Sequence, residues 1–443
     1  MRAHILGIGG VFMGNLALML QDLGWRISGS DGPVYPPMSR LLEDANIEVQ
    51  AYSPVLARRD IDCFVIGNSV SRGNPLLETI LNQGLPYISG PALLAREVLE
   101  GRDVIAVAGT HGKTTTTSML AHIFARLGRD IGYLVGGSLA MDKSGRGGRV
   151  GEGKVFVIEA DEYDSAFCDK RAKFVHYRPR WVVMNNLEFD HADIYPDLAA
   201  IETQFHHLVR LAPGNGAVIY PHDDAALARV IKRGLWSKAV LLGLDWRLEA
   251  VDGMNWRIHH QQESALLDWR TPGEHNARNA LAAVAAAHCA GVNWKQAVAS
   301  LTDFVNAERR MQFLGERKGV RFYTDFAHHP TAIAVTLKAM SAPAGDGRLL
   351  VILHPASNSM KSRVHKHSLP GSLHDADGLW LYQPGAGTYD WSDDLAAHPG
   401  WSGSFSDPAQ LAMSVGRKAR TGDLVVSLSN GDIAGVHQAL LHP

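Results

Sequence analysis

The chain has 443 residues, 46% of them hydrophobic, which is enough to bury two or three cores in about three domains. Its 43 basic and 45 acidic residues leave a net charge of -2, so no global field draws it to nucleic acid or an anionic membrane. Three scattered cysteines (Cys63, Cys168, Cys289) make no CxxC pair, and no apolar run reaches about 18 residues; both features point to a soluble protein of a reducing, cytoplasmic compartment.

His4-Ile5-Leu6-Gly7-Ile8-Gly9-Gly10 predicts a strand and a glycine turn, and Leu16, Leu20 and Leu23 continue at helical spacing to Gly24. A second strand, Trp25 to Ser30, ends in Asp31, about 20 residues after the turn. Glycines there admit a pyrophosphate and the acid suits a ribose hydroxyl. Phe12, however, occupies the third-glycine position of the dinucleotide fingerprint, and Gly14 comes two residues later. The pattern fits a nucleotide diphosphate without choosing between NAD and a UDP-sugar, and a glycine turn that packs only on its own helix has the same signature. A further strand over 61–68 ends in Asn68, Ser69 and a polar turn containing Arg72. That arginine is placed either to meet a phosphate or to stand in solvent as a loop residue.

Val104 to Ala108 is an apolar strand feeding Gly109-Thr110-His111-Gly112-Lys113-Thr114-Thr115, after which Met119, Leu120, Ile123 and Leu127 mark a helix over 114–127. Backbone N–H groups of such a turn close around phosphate oxygens, and the helix N-terminus adds its positive dipole end. Lys113 can reach the outer phosphates of ATP and the Thr114 hydroxyl can ligate Mg²⁺. Val107 stands where the strict pattern has its first glycine, so the match is a shortened variant. Gly145 to Gly148 reads as a loop. The strand 154–158 delivers Glu159-Ala160-Asp161-Glu162 at its C-terminal end, where a carboxylate can hold Mg²⁺ opposite the phosphate loop. The strand 181–184 similarly ends in Asn185-Asn186-Leu187-Glu188-Phe189-Asp190-His191, with His191 as a second candidate metal ligand. Further on, Gly273-Glu274-His275-Asn276 precedes an Ala-rich helix over 280–290. Asn276 and Asn279 lie one helical turn apart, as amides at the edge of a base would, or as an N-cap before a core helix would.

The last segment alternates strands (320–325, 349–353, 379–382, 423–428) with helical stretches, the signature of another α/β unit. Its strand ends are polar: Asp325-Phe326-Ala327-His328-His329-Pro330, His354 to Lys361, and Ser429-Asn430-Gly431. The region of Asp377 and Asp390 to Asp394 reads as solvated surface.

In order along the chain stand the loop Gly7 to Gly14, Gly109 to Thr115, Glu159-Ala-Asp-Glu, Asn186-Leu-Glu-Phe-Asp-His191, Gly273-Glu-His-Asn-x-x-Asn279, Arg309-Arg310 and Asp325-Phe-Ala-His-His-Pro330. Together they resemble the Mur ligase family, the ATP-dependent amide-forming enzymes of cell-wall peptide assembly, over essentially the whole chain. The stretches Val34 to Ser39, Asn68 to Pro75, Ser357 to Lys361 and Ser429 to Gly431 resemble the family's branch for peptidoglycan recycling. The resemblance implies an α/β fold of three domains: a Rossmann-like UDP-sugar domain (1–98), a central P-loop ATPase-like domain with a parallel sheet (99–312), and a Rossmann-like peptide-binding domain (313–443). It implies joining of UDP-N-acetylmuramate to L-Ala-γ-D-Glu-meso-diaminopimelate through an acyl phosphate, with ATP and Mg²⁺, in a monomer or weak dimer. Lys113, Glu159 and His191 would be catalytic, with Thr114, Glu159 and His191 at the metal. Gly109 to Thr115, His275, Asn276, Asn279, Arg310 and Asp325 would hold ATP. Gly9, Gly10, Met13, Gly14, Ser30, Asp31, Asn68, Ser69 and Arg72 would hold the UDP-sugar, and His328, Ser357, Asn358, Lys361 and Asn430 the peptide.

Two departures stand out. The helix after His191 carries His206 and His207 and no lysine, which removes the carbamylated lysine of several family members and agrees with the muramate-accepting branch. His354-Pro355-Ala356 replaces the recycling branch's Glu-Pro-Arg, so the natural bidentate partner of a peptide carboxylate is missing. The nearest rival is the UDP-N-acetylmuramate–L-alanine ligase reaction. More distant ones are an NAD-linked oxidoreductase and an ATP-hydrolysing switch.

Overall fold

Short apolar runs that end in glycine or polar turns become parallel strands, because helices returning over both faces leave no solvated side. The computed structural model describes residues 1–252, 254–385 and 390–442, and its strands form three large sheets and one small hairpin. The first sheet is wholly parallel in the order Glu48–Gln50, Arg26–Ser30, Arg2–Leu6, Cys63–Ile66, Tyr87–Ser89. Its order reverses on either side of Arg2–Leu6, so the turn after Leu6 and the turn after Ile66 lie side by side at the crevice where such sheets bind ligands.

The second sheet has ten strands. Its parallel heart runs Lys238–Leu242, Ala217–Pro221, Trp181–Met184, Asp103–Ala108, Val155–Glu159, Gly132–Leu134. Asp103–Ala108 lies between the two strands that carry the acidic ends, so the phosphate loop and both acidic turns emerge together. The helix Lys113–Arg126 packs beside the helix Glu274–Cys289, whose alanines from Ala280 to Ala287, with Leu281 and Val284, are buried. Two features run against the sequence reading. The Ala-rich helix begins at Glu274, one and a half turns before Ala280, so Asn276 and Asn279 sit within its first two turns. Gly148, expected as the end of a loop, opens the short strand Gly148–Arg149, which pairs antiparallel with Gly132–Leu134.

The third sheet runs Gln312–Arg317, Val320–Asp325, Leu424–Ser429, Leu349–His354, Gly378–Tyr382, Trp401–Phe405, parallel except for its first pair. Its strands Val320–Asp325, Leu424–Ser429 and Leu349–His354 are neighbours and end toward the second sheet. The loop 145–147 meets the first domain, where Asn15 Oδ1 accepts from Gly147 N at 2.8 Å and Arg146 pairs with Asp22 at 3.0 Å. Among the described residues no helix is long and apolar enough to cross a membrane.

Candidate functional site

The phosphate loop is shaped by two left-handed glycines, Gly109 (φ 139°) and Gly112 (φ 78°). A Cβ on Gly112 would lie 2.4 Å from Asn279 Oδ1 and 2.9 Å from Asn185 Nδ2, so the close packing there also requires glycine. The loop is pinned from the neighbouring strand end. His111 N donates to Asn186 Oδ1 (2.8 Å), Glu188 N donates to Thr110 Oγ1 (2.8 Å), and Asn185 Nδ2 donates to Thr116 Oγ1 (3.0 Å). Asn185 and Asn186 thus preorganise the loop.

Lys113 turns back over the loop. Its Nζ donates to Gly109 O (2.7 Å) and to both oxygens of Glu162 (2.8 and 2.9 Å). His191 Nε2 meets the same carboxylate at 2.9 Å, and its ring lies 4.2 Å from that of Tyr163. Burial works against the charge on Lys113, but Glu162, Asp161 and Glu159 outweigh it and hold its pKa above the ordinary lysine value. Burial likewise opposes ionisation of Glu162, and Lys113 and His191 overcome it, keeping the carboxylate below its usual range. His191 is raised for the complementary reason. Asp161 is held by Lys173 at 2.7 Å. Asp161, Glu162 and His191 each offer a donor atom within 4.8 Å of one another, the spacing a single cation can bridge.

Glu159 closes its strand at the other side of the loop. It accepts from Thr114 Oγ1 (3.0 and 3.2 Å) and Gly136 N (2.8 Å). A hydroxyl and a carboxylate in contact at a phosphate loop are oxygen donors of the kind Mg²⁺ prefers. Arg310 reaches the same hydroxyl from the third domain, with Nη2 3.0 Å from Thr114 Oγ1 and its guanidinium 4.9 Å above the Phe326 ring.

These groups floor a cavity of about 970 Å³ that runs between the second and third domains. It is lined by His275, Asn276, Asn279, Arg247 and Trp256 of the second domain and by Asp325, His328, Ser357, Asn358 and Asn430 of the third. Asp325 is buried, and burial raises its pKa against the pull of Arg310; its oxygens accept from Met311 N (2.7 Å) and Ala327 N (2.8 Å) and so brace the chain entering the third domain. His328 is pushed down to about 4 by burial, and its Nδ1–H donates to Phe326 O at 3.0 Å. Asn430 lines the cavity, and its Oδ1 is buried without a hydrogen-bond partner. Lys361, expected at the peptide, is exposed and does not line the cavity. Its backbone N–H is spent on Ser357 O at the end of the short helix Asn358–Lys361, which aims its side chain to solvent.

Contacts across the two domains keep the cavity closed in. Ser359 Oγ donates to Asp190 Oδ1 (2.7 Å), Asn358 Nδ2 to Asp193 Oδ2 (3.0 Å), and Thr331 Oγ1 to Glu188 Oε2 (2.7 Å). Arg309 Nη2 donates to Ser429 O and Gly431 O at 2.6 and 2.7 Å. Where the arginine of a Glu-Pro-Arg run was missing in the sequence, Ala356 packs beside Gly431 and His354 Nδ1 meets Ser429 Oγ at 2.9 Å.

In the first domain Gly9 N donates to Asp31 Oδ2 at 2.7 Å, tying the glycine turn to the acid at the second strand end. Gly10 N returns to Gly7 O (3.3 Å), and the Ser69 side chain comes close to Gly7. Gly14 is needed for close packing, because a Cβ there would strike Met38 Sδ at 2.1 Å, and Met13 fills the space against Gly67 and Gly90. Ser30 Oγ is bound to His4 Nε2 (2.8 Å) inside the sheet, a structural position. Arg72, expected at the sugar nucleotide, commits both guanidinium nitrogens to Glu78 at 2.9 and 3.0 Å. That pair sits on the exposed loop, where Gly73 N also donates to Glu78, so Arg72 closes a turn. Gly9, Gly10, Asp31, Asn68 and Ser69 remain around the crevice.

Comparison with known proteins fits this architecture piece by piece. The model described as Mur ligase family, catalytic domain, matches residues 2–100; the Mur ligase middle domain matches 107–287; and the Mur ligase, glutamate ligase domain, matches 309–431. The UDP-N-acetylmuramate–L-alanyl-γ-D-glutamyl-meso-2,6-diaminoheptandioate ligase of Escherichia coli K12 is 45% identical over 100% of this chain and 98% of its own. A UDP-N-acetylmuramate–L-alanine ligase of Renibacterium salmoninarum is 31% identical over 99% of this chain and 95% of its own. Among solved structures, a murein peptide ligase from Psychrobacter arcticus 273-4 shares 40% identity at a TM-score of 0.78, covering 100% of this chain and 98% of that one. Three family models matched in order and relatives aligned from end to end establish that the chain belongs to the Mur ligase family.

Proposed function

We propose that the protein is an ATP-dependent ligase joining UDP-N-acetylmuramate to the amine of L-Ala-γ-D-Glu-meso-diaminopimelate, in the cytoplasm, for peptidoglycan recycling. The observation that carries this reading is the 45% identity, over the whole chain, to a relative named for that reaction, against 31% to one named for L-alanine. The site has the parts such a reaction needs. A carboxylate does not condense with an amine unaided, so ATP first phosphorylates the lactyl carboxylate; the amine then attacks the acyl phosphate, phosphate leaves, and the ammonium proton is given up.

Gly109 to Thr115 would cradle the phosphates, since both glycines leave room a Cβ would fill and the helix from Lys113 points its N–H groups there. Lys113 would exchange Glu162 for a phosphate oxygen, moving its ammonium onto charge that develops during transfer. Thr114 and Glu159 suit one Mg²⁺, and Asp161, Glu162 and His191 suit a second cation. Bound there, Mg²⁺ supplies the positive charge that lets two anions, carboxylate and γ-phosphate, approach. Arg310, already on Thr114, extends that positive field from the third domain. His275, Asn276 and Asn279 would face the base and ribose. The neutral His328, with Nδ1–H held by Phe326 O, leaves Nε2 to accept from the amine; Ser357, Asn358 and Asn430 lie beyond it for the peptide.

The test is ADP release measured with each acceptor omitted in turn. The proposal expects release only when UDP-N-acetylmuramate and a peptide amine are both present. ATP hydrolysis indifferent to the UDP-sugar overturns it.

A further inference from the structure

A second group of metal-ligating side chains stands apart from the carboxylates around Lys113. One nitrogen each of His111 and His329 and a carboxylate oxygen of Glu188 lie within 4.8 Å of one another. His111 Nε2 is 3.2 Å and His329 Nδ1 is 3.5 Å from Glu188 Oε2, and the two imidazole rings are 4.6 Å apart between centroids. Ligands about 2.0–2.1 Å from a tetrahedral Zn²⁺ stand about 3.3 Å from each other, the separation each imidazole nitrogen already keeps from the carboxylate oxygen, while the two nitrogens lie within 4.8 Å of one another. His365 adds to the cluster: it is 6% exposed, packs edge-on against His329 at 4.5 Å, and its Nε2 has no hydrogen-bond partner. A metal would displace two long bonds, from Thr331 N to His329 Nδ1 at 3.3 Å and between His111 Nε2 and Glu188 Oε2 at 3.2 Å.

The donor set differs in kind from the neighbouring one. Asp161, Glu162 and His191 are two carboxylates and one imidazole beside a lysine, whereas this cluster is two imidazoles and one carboxylate, the combination that suits borderline transition metals over Mg²⁺. Its three ligands also come from three places: the phosphate loop, the turn after Trp181–Met184, and the third domain. We propose that His111, Glu188 and His329 form a transition-metal site, of the class that takes Zn²⁺, whose ion clasps the third domain to the phosphate loop. Thr331 Oγ1, already on Glu188 Oε2 at 2.7 Å, braces the carboxylate in the orientation the site needs.

The test uses the full chain with Zn²⁺ uptake measured by equilibrium dialysis in a large excess of Mg²⁺, which occupies the oxygen-rich sites, and Co²⁺ as a spectroscopic probe. The proposal expects one Zn²⁺ per chain and the strong visible absorption of low-coordinate Co²⁺. It expects His329→Gln and Glu188→Gln each to weaken uptake by at least about 10-fold, the smallest loss that even outer-shell changes cause, while Glu162→Gln keeps the ion. His111→Gln, at a partly exposed position, decides the matter should either of the others fail to fold. No uptake in excess Mg²⁺, uptake unchanged in His111→Gln and His329→Gln, or uptake lost only with Glu162→Gln overturns the site.

Discussion

Glu162→Gln removes one negative charge from the centre of the site and leaves the shape nearly unchanged. The Glu162 side chain is 3% exposed and that of Lys113 is 12% exposed, with Nζ 2.8 Å from the carboxylate. At that distance two unit charges attract by about 6 kcal/mol for an effective dielectric near 20, before desolvation is counted. Breaking a buried pair by removing one partner costs about 3–5 kcal/mol, since the other charge stays buried. Asp161 and Glu159 still act on Lys113, which places the loss at the lower end, about 3 kcal/mol. A domain of this size shifts by about 2–4 °C per kcal/mol, so the ligand-free middle domain is expected to unfold about 6–12 °C lower by calorimetry. Nucleotide without divalent metal should recover part of that shift, because phosphate oxygens then take the place of the lost carboxylate around Lys113. An unfolding transition within about 1 °C of the parent protein, or no recovery with nucleotide, refutes the claim that Glu162 and Lys113 neutralise each other in the resting site.

Lys113→Ala should lower turnover by about 10²-fold or more, the size of effect seen on losing a single transition-state donor, while UDP-N-acetylmuramate binding measured by calorimetry stays near that of the parent; loss of both means the two sites are assigned to the wrong domains. Gly112→Ala should raise the Kd for ATP and cost about 1–2 kcal/mol from φ alone, since the added Cβ also meets Asn279 Oδ1 at 2.4 Å; unchanged ATP affinity contradicts the loop assignment. Burial pushes His4, His275, His328, His329, His354 and His437 down to about 4. The unfolded chain, with histidines near 6.5, therefore binds more protons between about pH 6.5 and 4. Stability from these groups is present above pH 6.5 and lost as pH falls toward 4, so unfolding in that window should take up protons; a flat stability profile from pH 7 to 4.5 refutes it.

The strands and the phosphate loop were legible in the sequence because each apolar run ends in residues that local chemistry demands: glycines where the loop turns and Glu159 where the strand stops; the pinning of the loop by Asn185 and Asn186 shows only in the structure. Pairing across the site was less so. Glu159 was legible as an acid opposite the loop, but it is Glu162, three residues past it, that meets Lys113 and His191, because the chain turns after the strand in a way no periodicity records. The meander Trp246–Ala250, Trp256–His260, Glu263–Leu267 is not legible in the sequence for another reason: its exposed edge mixes Arg, Glu and His with the apolar residues and blurs the alternation. Arg72 shows the limit for single side chains, since a loop arginine is free to choose a phosphate or the nearest acid, and Glu78 is nearer. The contacts of Glu188 with His111, Thr331 and His329 join residues 77 to 143 positions apart, and those with Thr331 and His329 exist only once the third domain is docked.

The central claim is the identity of the two acceptors, and product mass tests it most directly. The full chain is incubated with UDP-N-acetylmuramate, ATP and Mg²⁺, with either L-Ala-γ-D-Glu-meso-diaminopimelate or L-alanine added, and the UDP-linked products are weighed. The expected result is the tripeptide adduct, formed with one ADP per amide bond, and no alanine adduct. An alanine adduct without a tripeptide adduct contradicts the account.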